Sequence, residues 1–230
     1  MHIVEKAVIG VVCIVIVAGV VLSRIDETSF ETHYVEEDGP IETGTVPALL
    51  LESCVCLWRA VRLRGRKPTV FLAVTAILGL MFLFGAGEEI SWGKRFLGFD
   101  TPAWFDTHNA QHDTTIHNLR FGGMKINKLV FSQLLGAAII GYVLALPLLY
   151  RWRPEVVRIC SAFAIPVPRT RHMLVIGAIV LLICGAVSSS KRGELTEFGL
   201  SWMMVLCVMF PRNAADFQVA PPRAGAGGIP

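Results

Sequence analysis

Two adjacent carboxylates, Glu88 and Glu89, stand where a long apolar run of the chain, 69–87, comes to an end. An ionisable group at the edge of hydrocarbon is tolerated when it is paired or put to use, so this pair is the first candidate for chemistry. Either acid could act as a general base towards water. Three histidines follow, His108, His112 and His117, with Asn118 beside the last. On one continuous helix, His108 and His112 would present both imidazoles on the same face, a spacing used for metal ligation. Adding His117 and an oxygen from Asp106 or Asp113 makes a shell suited to a divalent zinc or iron ion. Neither H-E-x-x-H nor the Glu-x-x-His pair of di-iron bundles is present. The plainer alternatives are histidines that anchor a polar loop, and a Glu88 that pairs with Arg95 or Lys94 near the interface. If the helix runs on past Gly87, Glu88, Trp92 and Arg95 share one face.

Other acids could support the same site. Glu194 and Glu197 open the last apolar segment at i, i+3, where acids also complement a helix N-terminus. Glu52 falls about halfway along an apolar segment, where an ionised acid costs about 2.5–3.5 kcal/mol on insertion scales. It needs a partner or a proton. Asp38-Gly39-Pro40 reads as a turn that starts a helix, and Glu37 and Asp38 could close the polar site from above. His2, His33 and His172 carry no argument.

The elements that must position these residues are membrane spans. The chain has 230 residues, of which 53% are hydrophobic, and its mean hydropathy is +0.58. Several segments approach the roughly 20 apolar residues that cross a bilayer. The expected fold is all-α: a polytopic membrane protein of about six transmembrane helices at 5–23, 41–60, 68–88, 128–150, 172–189 and 194–211. The sixth is purely apolar only over 198–210, so spanning must draw Glu194 and Glu197 towards the membrane. No small-x-small cleavage site precedes Arg24, so the first segment reads as an uncleaved anchor. Thr101-Pro102 predicts a short helix over 102–110 with Thr101 as its N-cap. Residues 1–211 form one domain, and 212–230, with Pro221-Pro222 and a Gly/Ala-rich end, read as a disordered cytoplasmic tail.

Orientation follows from the basic loops. The 59–67 segment carries Arg59, Arg62, Arg64, Arg66 and Lys67; the 151–171 segment carries Arg151, Arg153, Arg158, Arg169 and Arg171. Both belong in the cytoplasm, whereas the acid-rich 24–43 loop belongs outside. Alternation then puts both termini inside and gathers loops one, three and five on the outer face. The net charge of +3 is spread over these loops and speaks for membrane orientation, not for a nucleic-acid partner. Five of the six cysteines fall within the expected spans, so they are no disulfide framework.

Four stretches resemble a family of uncharacterised bacterial multi-pass membrane proteins. They are Glu37-Asp38-Gly39-Pro40, the seven residues from Gly87 to Gly93 followed by Lys94, Arg95 and Gly98, the Thr101-Pro102 to His117-Asn118-Leu119 loop, and Glu194-x-x-Glu197. The resemblance covers most of 36–210 and implies a shared membrane fold. A looser likeness is to the CAAX-type intramembrane glutamic proteases. Glu88-Glu89 fits their Glu-Glu-x-x-x-Arg, but Gly93 occupies the arginine position and Phe105 precedes His108 by three residues instead of four. That likeness is one of chemistry.

The functional expectation is an integral protein of the bacterial inner membrane with an outward-facing Glu/His site. The site would act as a metal-assisted hydrolase on a lipid or peptide near the interface. The competing expectations are a non-enzymatic protein that binds or relays cations or protons, and a structural membrane partner.

Overall fold

Apolar sequence with few breakers becomes helix here, as backbone groups in hydrocarbon require. The computed structural model describes residues 1–36, 39–109, 112–116, 119–121, 124–125 and 135–219. The helices are α1 (Ile3–Ile25), α2 (Glu27–Ser29), α3 (Pro40–Arg62), α4 (Thr69–Glu89), α5 (Lys94–Leu97), α6 (Ala103–His108), α7 (Leu135–Ile140), α8 (Leu146–Trp152), α9 (Pro154–Ala162), α10 (Thr170–Ala186) and α11 (Arg192–Met209). Two π-helical turns, Phe30–Tyr34 and Gly141–Ala145, sit between α2 and α3 and between α7 and α8. The strand pairing among the described residues is a two-residue ladder, Arg120–Phe121 against Met124–Lys125.

Three helices, α1, α3 and α4, are long and apolar enough to cross a membrane. Helix α10 is apolar but shorter, and α11 carries Arg192, Glu194 and Glu197 in its 18 residues. The segment expected to span at 128–150 is described from Leu135 onward and is not one regular helix. Pro147 lacks the N–H for a regular helical bond and crowds the carbonyl one turn back. The chain widens into the π turn just before it.

Helix α11 occupies the centre. Leu195, Phe198, Met203, Leu206 and Cys207 on α11 form one core with Val12 and Ile16 of α1 and Ile176, Ile179 and Ile183 of α10. Helix α3 packs against α11 on one side and α4 on another. Small residues set both approaches. A Cβ at Gly44 would lie 2.9 Å from Cε2 of Phe198, and Trp202 Nε1 donates to the Gly44 carbonyl at 2.9 Å. A Cβ at Gly79 would lie 2.9 Å from Cγ of Leu57. Close backbone approach through small residues is how helices associate where no hydrophobic drive separates them from lipid. By contrast, only 17% of the apolar window of α1 and 22% of that of α4 is buried within the molecule.

The two ends of the bundle differ in chemistry. At one end Leu63, Phe71 and Ala164 pack with Phe217, bringing the two basic segments together. Arg59 is buried there. It donates to the carbonyls of Val208 (2.7 Å) and Met209 (3.3 Å), two of the terminal acceptors of α11, and lies 4.6 Å over the Phe217 ring. Disorder therefore does not begin at 212. Asn213 bonds Val167 N–H and the Ile165 carbonyl, and a 3₁₀ turn follows at Ala214–Phe217. Residues 220–230 lie outside the described residues. At the opposite end, Ser189 Oγ donates to a Glu31 carboxylate oxygen and Lys191 Nζ to the Glu31 carbonyl.

Arg59→Met removes both charged caps and the ring contact but keeps an apolar stem. Unfolding of the purified protein in mixed micelles should show a loss of about 1.5–3 kcal/mol, the range for hydrogen bonds to a charged group. An unchanged midpoint would show that Arg59 does not hold the end of α11.

Candidate functional site

The end of α4 explains the Gly87 to Gly93 stretch residue by residue. The helix stops at Glu89, and Ser91, Trp92 and Gly93 all take left-handed backbone angles, φ 47°, 55° and 78°. Glycine suits such a position, and the two side chains beside it are held there by contacts. The reversal folds Trp92 back over the helix. Its ring fills the space of a missing side chain, since a Cβ at Gly87 would lie 2.9 Å from it. Its Nε1 donates to Glu88 Oε1 at 2.8 Å. The expected continuous helix through Arg95 is therefore not formed, though Glu88 and Trp92 still meet one turn apart.

Glu88 is buried, at 5% exposure. Its second oxygen accepts the Ile116 N–H at 2.6 Å. Ser91 Oγ donates to Asp113 Oδ2 (3.1 Å), Lys94 Nζ pairs with Asp113 Oδ1 (2.8 Å), and Thr114 donates to the Ser91 carbonyl (3.1 Å). Glu88 thus pins the 112–116 turn to the end of α4, and Lys94 goes to Asp113. Glu37, Asp38, His117, Asn118 and the Arg95 side chain lie outside the described residues.

Glu89 follows the helix round by about 100° and faces a different partner. Glu197 of α11 acts on it most strongly among its charged neighbours, followed by Glu42 of α3 and Glu194 of α11. Four carboxyl groups from three helices therefore share one patch. Glu197 is exposed and Glu89, Glu42 and Glu194 are partly buried. The burial expected for Glu197 from span length is not seen. Its neighbours Leu195 and Phe198 carry the packing of that helical turn instead.

The histidines are arranged otherwise than their spacing suggests. Helix α6 ends at His108, and His112 has φ 58° in the turn beyond it, so the two do not share a helix face. The reason is local competition for the backbone. Thr107 Oγ1 and His108 Nδ1 both bond within the last turn, and the Asn109 side chain is drawn to the Thr115 carbonyl at 2.7 Å. The His108 ring stacks on Trp104, and His112 Nδ1 lies 3.0 Å from Asp106 Oδ1. Thr101 is not the N-cap of α6; Pro102 takes that place, and Thr101 donates to the His112 carbonyl at 2.7 Å. Among the described residues, no group of three or more His, Cys, Asp or Glu side chains is placed to hold a metal ion.

One polar feature is not legible in the sequence. Glu5 is 1% exposed and meets Arg171, His172 and the amide of His2, tying α1 to α10. An acid in the first turn of an apolar helix, opposite a basic segment, was the available signal. Glu52, expected to need a partner or a proton, has no partner among the described residues. It is fully buried and both carboxyl oxygens lack a hydrogen-bond partner.

Family models, curated proteins and solved structures contain no match to this chain. The side chains themselves carry the functional reading.

Glu88→Gln offers one acceptor where two donors converge, so Trp92 and Ile116 cannot both be satisfied. Amide exchange at Ile116 should quicken roughly tenfold, the equivalent of one lost hydrogen bond of about 1.4 kcal/mol. Wild-type protection in the variant would remove Glu88 from this role.

Proposed function

We propose that the chain is a multi-pass protein of the bacterial cytoplasmic membrane whose outward-facing carboxyl site binds and exchanges protons. The reading has six spans within one domain over 1–211, both termini inside, and the bilayer as principal partner. One observation carries it, the meeting of the Glu89 carboxyl with that of Glu197, the acid that acts on it most strongly. Two carboxylates offer only acceptors, so carboxyl groups bond to each other through a proton. Glu42 and Glu194 surround that proton with further acid groups. Gain or loss of one proton there alters the charge between α3, α4 and α11 at the point where they meet. Support for the orientation comes from the gathering of the basic segments at one end of the bundle and of Glu31, Ser189 and Lys191 at the other.

A second reading is hydrolysis of a lipid or peptide at the interface. A pair that shares one proton supplies a general acid and a general base together. It is favoured by Leu97, Phe99 and Trp104, which expose large apolar side chains on the loop pinned by Glu88. A zinc or iron ion would have to draw on His117, outside the described residues.

Infrared titration of the reconstituted protein tests the proton. A neutral-carboxyl band that responds to external pH should be present in the wild type. It should be lost from both Glu89→Gln and Glu197→Gln, because the two groups hold one proton between them. If both variants keep the wild-type titration, the site does not hold it. Topology is tested separately on a cysteine-free background. Cysteine at Glu27 should react with an impermeant maleimide from outside intact cells, and cysteine at Arg64 should not; the reverse pattern inverts the orientation.

A further inference from the structure

Glu52 is the outlier of the interior. It lies in the middle of α3 with 0% exposure, and neither carboxyl oxygen has a hydrogen-bond partner. Buried polar groups are almost always satisfied, so each exception asks for an explanation. The position is not peripheral. Helix α3 is wedged between α4 and α11, and Gly79 lets α4 close against Cys56 and Leu57, one turn beyond Glu52.

The groups facing Glu52 are weakly acidic or neutral. Cys56 is one turn further along α3, Cys207 comes from α11, and Tyr142 comes from the π-helical turn, all within electrostatic reach of the carboxyl. Tyr142 spends its hydroxyl hydrogen on the Pro166 carbonyl at 2.7 Å. Cys160 borders the same group through Tyr142. From α4, Gly79 packs against Cys56, one turn from Glu52, and the buried hydroxyl of Thr75 donates to its own helix at Phe71. The buried cation of α3, Arg59, is two turns away and bound to Val208, Met209 and Phe217. No positive charge therefore reaches Glu52 among the described residues.

An isolated carboxylate in such a place carries a desolvation penalty of several kcal/mol that nothing nearby offsets. The neutral acid avoids that penalty, while a leucine would avoid it more simply. We propose that Glu52 is a second, membrane-interior proton-binding site: it holds a proton in the packed state described here and releases it when water or a cation gains access between α3 and α11. The proposal stands on the isolation of Glu52 and does not require the outer Glu89–Glu197 pair. The π turn that presents Tyr142 is the adjacent place where the wall is irregular, and π turns are frequent at functional sites.

Two measurements on the full chain in lipid decide it. In infrared titration, a neutral-carboxyl band absent from Glu52→Gln but present in Glu89→Gln is expected, and it should fade as pH rises. A Glu52→Gln spectrum identical to the wild type overturns the proposal. So does a band that never titrates below the pH of unfolding, since that would be a fixed structural acid. If Glu52→Gln does not fold, the wild type is treated with a hydrophobic carbodiimide. The acid gives its proton to a carbodiimide nitrogen, the carboxylate oxygen adds to the central carbon, and the adduct rearranges to a stable acylurea with nothing lost. Peptide mapping should find it on Glu52, forming roughly tenfold more slowly for each pH unit beyond the midpoint. No adduct, or one whose rate ignores pH, overturns the proposal. A wild-type spectrum that shows the Glu52 band but no band sensitive to Glu89→Gln and Glu197→Gln would instead count against the outer pair alone.

Discussion

Hydrocarbon offers no hydrogen bonds, so a polar group that enters the bundle must find its partner within the protein or stay uncharged. That constraint falls most heavily on α11. Its first turns carry Arg192, Glu194 and Glu197, and its last carbonyls need donors. Both ends are met from α3 and its neighbours: Glu89 and Glu42 at the acidic end, Arg59 at the basic end. A helix with three charged residues in its first two turns is thereby the one held in the middle. The most apolar helices, α1 and α4, turn most of their surface outward. Lipid can solvate those faces, but it cannot solvate the ends of α11.

The same logic works at the scale of one turn. Adjacent acids on a helix point about 100° apart, so Glu88 and Glu89 cannot serve the same partner. Glu88 turns to the loop, where Trp92 and Ile116 satisfy it. Glu89 turns to α11. The left-handed reversal at 91–93 and the empty side of Gly87 make the first arrangement possible. Glu197 stays exposed beside the partly buried Glu89, which is the route to water that the proposed proton exchange requires.

Helix positions were legible because hydropathy and turn residues report directly on a bilayer. The segments 41–60 and 68–88 became Pro40–Arg62 and Thr69–Glu89, with Pro40 as the first helical residue and Pro68 as the N-cap. Alternation of basic and acidic loops gives the expectation that Glu89, Glu194 and Glu197 share a face, and the last two are among the charged neighbours of Glu89. What failed was anything that depended on local continuity. His108 and His112 read as one helix face because spacing cannot see Thr107 and His108 closing the turn early. The tail read as disordered because composition cannot show Asn213 bridging to Val167. Glu5 with Arg171 and His172 is a contact across 166 residues and more, and no spacing rule reaches that far.

The central claim is that Glu89 and Glu197 form one coupled pair across α4 and α11. A double-mutant cycle on unfolding free energy addresses it most directly, using Glu89→Gln, Glu197→Gln and the double variant in the same micelles. Contacting residues show coupling of about 0.5–3 kcal/mol. The account gives a value in that range, changing as pH is raised and the shared proton is lost. Strict additivity at every pH would contradict it.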